Sequence, residues 1–321
     1  MIVVTGGAGF IGSCVVRTLN DAGINEIVVV DNIASTDKWK NLRNKKYINY
    51  VNRSQFLDEL PGYENVEAIV HMGACSSTTE RDFDYLWTNN FEYTKALWNY
   101  CAEKQISFIY ASSAATYGDG SKGFDDETDI DALMPLNGYG YSKQLFDLWV
   151  KHQAKVFPKQ HVGLKFFNVY GPNEYYKGSM ASMVFHGFNQ IKKDGEIRLF
   201  KSCNPEYADG EQLRDFVYVK DVCSVIKWML DNPQVSGLFN VGTGRAQSFR
   251  ELAEATFRAL NIEPNIKYID MPEHLISKYQ YFTKAEMDKL YNAGYKGTFR
   301  NLEDGVEDYV KKHLNVDYSE Y

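Results

Sequence analysis

Gly6, Gly9 and Gly12 stand in TGGAGFIG, directly after the apolar run IVVT and at the opening of an amphipathic stretch that starts near Phe10. No other feature constrains the fold so strongly. A glycine loop between a strand and a helix belongs to a βαβ unit, where the glycines permit a tight turn and let an anionic group approach the helix N-terminus. Asp31 closes a second β-branched run, IVVVD, about 20 residues further on, where a carboxylate can accept hydrogen bonds from a ribose. Glycines serving only turn and packing are the plainer reading, and the register of strand, loop, helix and acid weighs against it.

The same alternation continues. Short apolar runs at 2–5, 27–30, 47–51, 68–71 and 108–111 predict parallel strands, and helices are expected to open near Phe10, Asp82 and Tyr139. In the second of these, Leu86, Asn90, Tyr93 and Leu97 recur near the 3.6-residue period. A further strand at 163–167 extends the sheet. Beyond residue 170 the pattern loosens to helices at 179–192, 221–230 and 302–314 and a strand at 238–241, with the polar stretch 201–213 read as a surface loop. The expected fold is therefore α/β, a doubly wound, Rossmann-like parallel sheet with a smaller C-terminal α/β substrate-binding lobe. The division is placed at 1–170 for the dinucleotide and 171–321 for the substrate, with the chain crossing between them.

An acid at the end of the second strand favours NAD, because it repels the additional phosphate of NADP. Here Lys38, Lys40, Arg43, Lys45, Lys46 and Arg53 follow Asn32, so one or two of them could neutralise that phosphate. On the residues alone a solvated basic loop stays equally open.

Charge and cysteine usage exclude several classes. With 35 basic and 42 acidic residues the net charge is −7, which gives no global field for nucleic acid or an anionic membrane surface. Five cysteines without a CxxC pair argue against a disulfide framework and a zinc knuckle, and six histidines without HxxxH spacing leave no metal site to propose. No run of about 18 apolar residues and no leader-like N-terminus is seen, so a cytoplasmic location is expected.

Tyr139 and Lys143 in YGYSK lie four apart on a predicted helix and project from one face, with Tyr141 turned away. A neighbouring ammonium favours a phenolate and suits the tyrosine to proton transfer with an alcohol. Ser112 and Ser113 are read as directly following the fifth strand, at the carboxyl end of the sheet, where Ser113 would hydrogen-bond the reacting oxygen. A surface tyrosine–lysine contact and a turn-capping serine pair are the plainer alternatives.

The strings HMGACSSTTERD (71–82), YASSAATYG (110–118), PLNGYGYSK (135–143), FFNVYGPNEYYKGSMAS (166–182), LRDFVYVKDV (213–222), FNVGTGRAQSF (239–249) and KYQYFT (278–283) together resemble the extended short-chain dehydrogenase/reductase family of nucleotide-sugar epimerases and dehydratases. The likeness covers essentially the whole chain. KGSMAS and ACSSTTE are similar to the branch that inverts carbon 6 of an ADP-activated heptose for the lipopolysaccharide core.

That resemblance implies NADP held by Gly6, Gly9, Phe10, Ile11, Gly12, Asp31, Asn32, Lys38, Arg53, Met72, Gly73, Ala74, Cys75, Ser76, Asn89, Lys143, Val169 and Lys177. It implies substrate contacts at Ser113, Asn168, Ser179, His186, Phe200, Lys201, Ser202, Cys203, Arg214 and Tyr279, and a catalytic set of Tyr139, Lys177, Ser113 and Lys143. Lys177 is the second acid/base by resemblance alone, since in isolation it reads as a solvated lysine. Cys75 is expected to be no nucleophile. A homo-oligomer built on pentamers is likewise only implied. A 4,6-dehydratase would need acids after the serine, where Ala114 and Ala115 stand, and a non-catalytic NADP-binding protein is the third reading.

Overall fold

The computed structural model describes residues 1–276 and 279–321; Lys278, which opens the KYQYFT string, lies outside them. Seven strands form one wholly parallel sheet. In chain order they are β1 (Ile2–Thr5), β2 (Ile27–Asp31), β3 (Asn49–Asn52), β4 (Ala68–His71), β5 (Ser107–Ser113), β6 (Gln160–Phe166) and the strand Gly237–Val241. Their order across the sheet is β3, β2, β1, β4, β5, β6 and then Gly237–Val241. The expected doubly wound fold is present. The direction of winding reverses between β1 and β4, which opens a crevice at the carboxyl ends of those two strands.

Continuous apolar runs are the signature of strands covered on both faces. Val4, Val29, Val70 and Ile109 point into one core with the helix α1 (Phe10–Asp21), while Val3, Val28, Ile69 and Phe108 point into the other around Trp98. Trp98 meets Phe108, Phe146 and Trp149 edge-on at 5.9–6.1 Å, an arrangement that aromatic quadrupoles favour. The second half of the chain rejoins this body. The helix Val219–Asp231 packs on α1, and Gln160 at the start of β6 donates to Met229 O, at 2.8 Å, and to the carbonyls of Asn232 and Val235. Beside the main sheet, three two-stranded pairs bring Leu213–Arg214 to Gln247–Ser248, Asn168–Tyr170 to Phe216–Tyr218, and Ile197–Phe200 to Ile266–Ile269.

Several boundaries differ from expectation for local reasons. The helix expected over 179–192 is a short 3₁₀ turn, Gly178–Met180, followed by the helix Met183–Asp194, because the Ser182 side chain accepts the Phe185 N–H and caps a new start. The helix expected from Asp82 has Asp82 as its cap and passes through a π turn at Trp87–Glu92 before continuing as Tyr93–Lys104. The C-terminal helix Leu302–Tyr309 likewise ends in a π turn, Val310–Leu314. β3 begins at Asn49 rather than Tyr47, and β5 runs on through Ser113, so both serines end the strand instead of following it. No described helix is long and apolar enough to cross a membrane.

Gly12 shows how close the packing is: a Cβ built there falls 2.1 Å from Gly6 O, a backbone atom that cannot swing away. Gly12→Ala is therefore expected to destabilise the protein by about 1–3 kcal/mol and to abolish dinucleotide binding. Urea unfolding and a binding titration test this; wild-type values in both would show that the loop and α1 are not in contact.

Candidate active site

Three clefts open along the carboxyl edge of the sheet and run into one another. The first, about 460 Å³, lies over the β1–α1 turn and is lined by Gly6, Gly9, Phe10, Ile11, Gly12, Asp31, Asn32, Lys38, Arg53, the segment Met72 to Ser76, and Lys177. α1 opens at Gly9 with no side-chain cap and no acid in its first turn, so its leading N–H groups and positive dipole end are free for an anion. Gly6 adopts φ +64°, and a Cβ on it would lie 2.6 Å from Gly73 N, so glycine is required where β1 and β4 part. On the wall, Asn41 spends both amide hydrogens on Ala8 O and Asn173 O, which leaves its buried Oδ1 without a protein partner. Bare glycine backbone, uncapped N–H groups and a spare acceptor for a hydroxyl fit a dinucleotide.

Asp31 is more occupied than its sequence position suggests. Its Oδ2 accepts Ala8 N–H at 2.9 Å, and its Oδ1 accepts Asn32 N–H at 2.7 Å and Lys38 Nζ at 2.8 Å. Much of its charge therefore anchors the glycine loop and the Lys38 turn. Arg53, at the start of the helix Arg53–Glu59, donates to Asn89 Oδ1 and lies 5.7 Å over the Tyr93 ring. Asn89 is thus buried behind Arg53 and does not itself line the cleft.

The second cleft, about 390 Å³, is lined by Ser113, Tyr139, Asn168, Val169, Lys177 and Ser179, with Thr78, Ala115, Met180, Phe249, Gln280 and Thr283. Lys177 and Met180 border both the first cleft and this one. Tyr139 and Lys143 sit in the helix Gly138–His152, started by the Asn137 side chain, which accepts Gly140 N–H at 2.8 Å. Burial pushes the Tyr139 phenol up, while contact with the Ser113 hydroxyl pulls the other way, toward the phenolate. The expectation that Lys143 supplies that pull is corrected. Its ammonium donates to Ala111 O at 2.9 Å, and burial lowers it to about 8. Lys143 therefore backs the site from beneath the strand end rather than lining the cleft.

Burial also lowers Lys177, with the Glu174 carboxylate opposing. Glu174 is itself enclosed, accepting Ser182 N–H and Ser182 Oγ, both at 2.6 Å, and Gly171 N–H at 3.3 Å, so it fastens the loop that carries Lys177. The third cleft, about 400 Å³, shares Thr78, Ala115 and Gln280 with the second and adds Glu80, Arg81, Asn137, Arg214 and Tyr279. Arg214 is nearly buried, donates to Leu213 O and Gln280 O, and lies 5.1 Å over the Tyr279 ring.

Not every expected contact converges. His186 lies on the helix Met183–Asp194 against Phe185 and lines none of these clefts. Phe200 ends a strand paired with Ile266–Ile269, Lys201 is bound to Asp270 at 2.9 Å, and Ser202 and Cys203 bond within the loop and to Tyr281. None of these four residues lines a cleft. Conversely, Asn41, Asn173, Thr78 and Met180 line them although the sequence reading passed over all four. Neither Asn41 nor Asn173 carries a local signal, because their partners lie 33 to 160 residues away.

Together the described linings carry Lys38, Arg53, Lys177, Arg81 and Arg214 against Asp31 and Glu80. On a chain of net charge −7, this concentrates positive potential where anionic ligands would lie. No group of three potential metal ligands occurs among the described residues.

Comparison with known proteins agrees with this architecture. The chain is 55% identical over 320 residues, 98% of both chains, to an ADP-L-glycero-D-manno-heptose-6-epimerase of Nitratidesulfovibrio vulgaris strain DP4, and 53% identical, again over 98% of both, to that of Fusobacterium nucleatum subsp. nucleatum. The crystal structure of the Helicobacter pylori ADP-L-glycero-D-manno-heptose-6-epimerase superposes with a TM-score of 0.82 at 29% identity, covering 97% of this chain and 95% of that one. Residues 2–242 match the family described as NAD dependent epimerase/dehydratase, and with its parallel sheet, glycine loop and YxxxK helix this chain belongs to that family.

Proposed function

We propose that this protein is an NADP-dependent epimerase that inverts carbon 6 of ADP-D-glycero-D-manno-heptose through a transient ketone, as a step toward the lipopolysaccharide core. One observation carries the reading: Tyr139, Ser113 and Lys177 face one cleft, and Lys177 also borders the dinucleotide cleft. Identity to the heptose epimerases across the whole chain supports the substrate. A bound nicotinamide dinucleotide supplies hydride acceptance and return, so no net oxidation occurs.

Tyr139 and Lys177 then divide the proton work. A phenol raised by burial keeps its proton in the resting site, ready to donate to a ketone oxygen, while the Ser113 contact favours the phenolate needed to take a proton from the alcohol. A lysine lowered by burial can give up its proton in the other half-reaction. Arg214 and Arg81 suit a diphosphate in the third cleft. Elimination of water is disfavoured because neither Ala114 nor Ala115, which follow Ser113, can transfer a proton. We assign residues 1–170 chiefly to the dinucleotide and 171–321 chiefly to the sugar nucleotide, with Gly237–Val241 and Val219–Asp231 returning to the first body.

Incubation with ADP-D-glycero-D-manno-heptose, followed by NMR at carbon 6, is expected to show conversion to the L-glycero epimer. Lys177→Met should lower kcat by about 100-fold or more with little change in KM. A raised KM at unchanged kcat would make Lys177 a diphosphate-binding cation instead.

NADP is favoured because Lys38 already offsets the Asp31 charge and Arg53 stands across the same cleft. Lys38→Ala combined with Arg53→Ala should weaken NADP by roughly tenfold or more while NAD changes little. Equal losses for the two cofactors in calorimetric titrations would remove both cations from the phosphate.

The Lys143 ammonium, lowered to about 8, is charged below that pH and neutral above it. Turnover is expected to fall as pH rises through about 8, as the donor behind the strand end loses its charge. A pH profile that stays flat to pH 9 or so would separate Lys143 from the reaction.

A further inference from the structure

Residues 317–321 line none of the three clefts, yet they are bonded to the two loops that border the dinucleotide. Tyr321 N–H donates to Asn173 Oδ1 at 2.9 Å, and Asn173 Nδ2 donates back to Tyr321 O at 3.2 Å and to Ser13 Oγ at 2.9 Å. Two residues along the same loop, the Tyr175 hydroxyl donates to Ser319 O at 2.9 Å. From the other side, Arg43 reaches Glu320 and Lys45 reaches Tyr321 O. The Tyr318 hydroxyl adds a bond to Asn189 Oδ1 at 2.6 Å, on the helix that follows the Lys177 loop.

The two loops are also joined directly. Asn41 Nδ2 donates to Asn173 O at 3.1 Å and to Ala8 O at 3.0 Å, and Asn41 and Asn173 are each 1% exposed. Asn41 shares the 3₁₀ turn Asp37–Leu42 with Lys38, and Asn173 precedes Lys177 by one turn, whose N–H donates to Glu174 O at 3.0 Å. Asn173 adopts φ +74°, a left-handed conformation that asparagine tolerates better than most side-chain-bearing residues. Bonds to Tyr321, Ser13 and Asn41 hold it there. Most of these bonds to residues 317–321 end on main-chain atoms, so the segment acts through its path more than through its side chains.

We propose that residues 317–321, acting through Asn173 and Asn41, form a positioning clasp that holds the Lys177 loop and the Lys38 turn in one register, coupling cofactor seating to placement of Lys177. The proposal rests on the reading of Lys177 as a second proton carrier. A reactive group displaced by even 1 Å loses much of its effect, so release of the clasp acts on rate as well as on binding.

The test is a double-mutant cycle in the full enzyme between a chain ending at Val316 and Lys177→Met, read as kcat, KM and the NADP dissociation constant. The shortened chain is expected to lose about 10- to 100-fold in kcat, to bind NADP about tenfold more weakly, and to lose no further kcat once Lys177→Met is present. Full multiplication of the two losses, or wild-type kcat and NADP affinity in the shortened chain, overturns the clasp. Should that chain fail to fold, Tyr175→Phe removes the donor to Ser319 O from a residue outside the three clefts, and it should show the same non-additive pattern at smaller amplitude; wild-type values there overturn the proposal too. Undiminished kcat in Lys177→Met alone defeats the second-carrier reading separately, and the clasp is then judged on NADP affinity, which must still weaken.

Discussion

Everything in this molecule depends on two stretches of bare backbone meeting where the sheet reverses its winding. Gly6 and Gly73 approach so closely that a Cβ on Gly6 would lie 2.6 Å from Gly73 N, and Gly12 allows α1 to press against Gly6 O in the same way. The approach is reinforced from below. His71, pushed down to about 3 by burial, stays neutral between Thr5 Oγ1 at 2.5 Å and Thr94 Oγ1 at 2.9 Å, and Gly73 N–H reaches Thr5 Oγ1 at 3.3 Å. A neutral, fully bonded histidine can sit under an anion site without adding a charge that titrates. The crevice opens at this contact, where β1 and β4 part.

The second cleft rests on a different device. The strand end Ala111, Ser112 and Ser113 is held from two elements, the helix Gly138–His152 and the turn Ala114–Tyr117: Lys143 donates to Ala111 O, Ser112 Oγ to Asp147 Oδ2 at 2.7 Å, and Thr116 Oγ1 to Ser113 O at 2.8 Å. Lys165 supports the last of these from β6, donating to Thr116 Oγ1 at 3.0 Å and lying 4.2 Å from the Tyr117 ring centroid. Asp147 also accepts the Tyr110 hydroxyl at 3.0 Å. Burying Asp147, Lys143 and Lys165 together is tolerable because each has bonds and opposite charge nearby, whereas any one left alone would bear its full desolvation penalty. The network explains why a serine on a strand end and a tyrosine on a helix can stay in register.

Local chemistry accounts for what could be read in advance. Glycines before an apolar-periodic helix, β-branched runs at regular intervals, an acid closing IVVVD and a YxxxK pair each act through neighbours within a few residues, so the strands of the first half and the glycine turn were legible, whereas most other residues around the first cleft were expected from the family resemblance alone. Asn41 and Asn173 were not, because their partners lie 33 to 160 residues away and only folding brings them together. The same holds for Asp31, whose carboxylate is shared with Lys38 and Ala8 N–H in a way that spacing does not reveal. Phe200 to Cys203 illustrate the converse. They carry plausible polar groups for a sugar nucleotide, but pairing with Ile266–Ile269 and bonds within the loop draw them off the cleft.

The amino-acid order by itself therefore determined the α/β class, the position of the dinucleotide turn and the presence of a tyrosine, a lysine and a serine suited to moving protons. Those properties follow from periodicity, backbone freedom at glycine and the pKa ranges of side chains, all of which are local. Tertiary structure alone decided that Lys177 borders two clefts at once, that the Lys143 ammonium bonds Ala111 O at the strand end, and that residues 317–321 reach the Asn173 loop. Each of these is a contact between segments distant in sequence, set by burial of the apolar faces that carry them and by the need of buried polar groups to find partners.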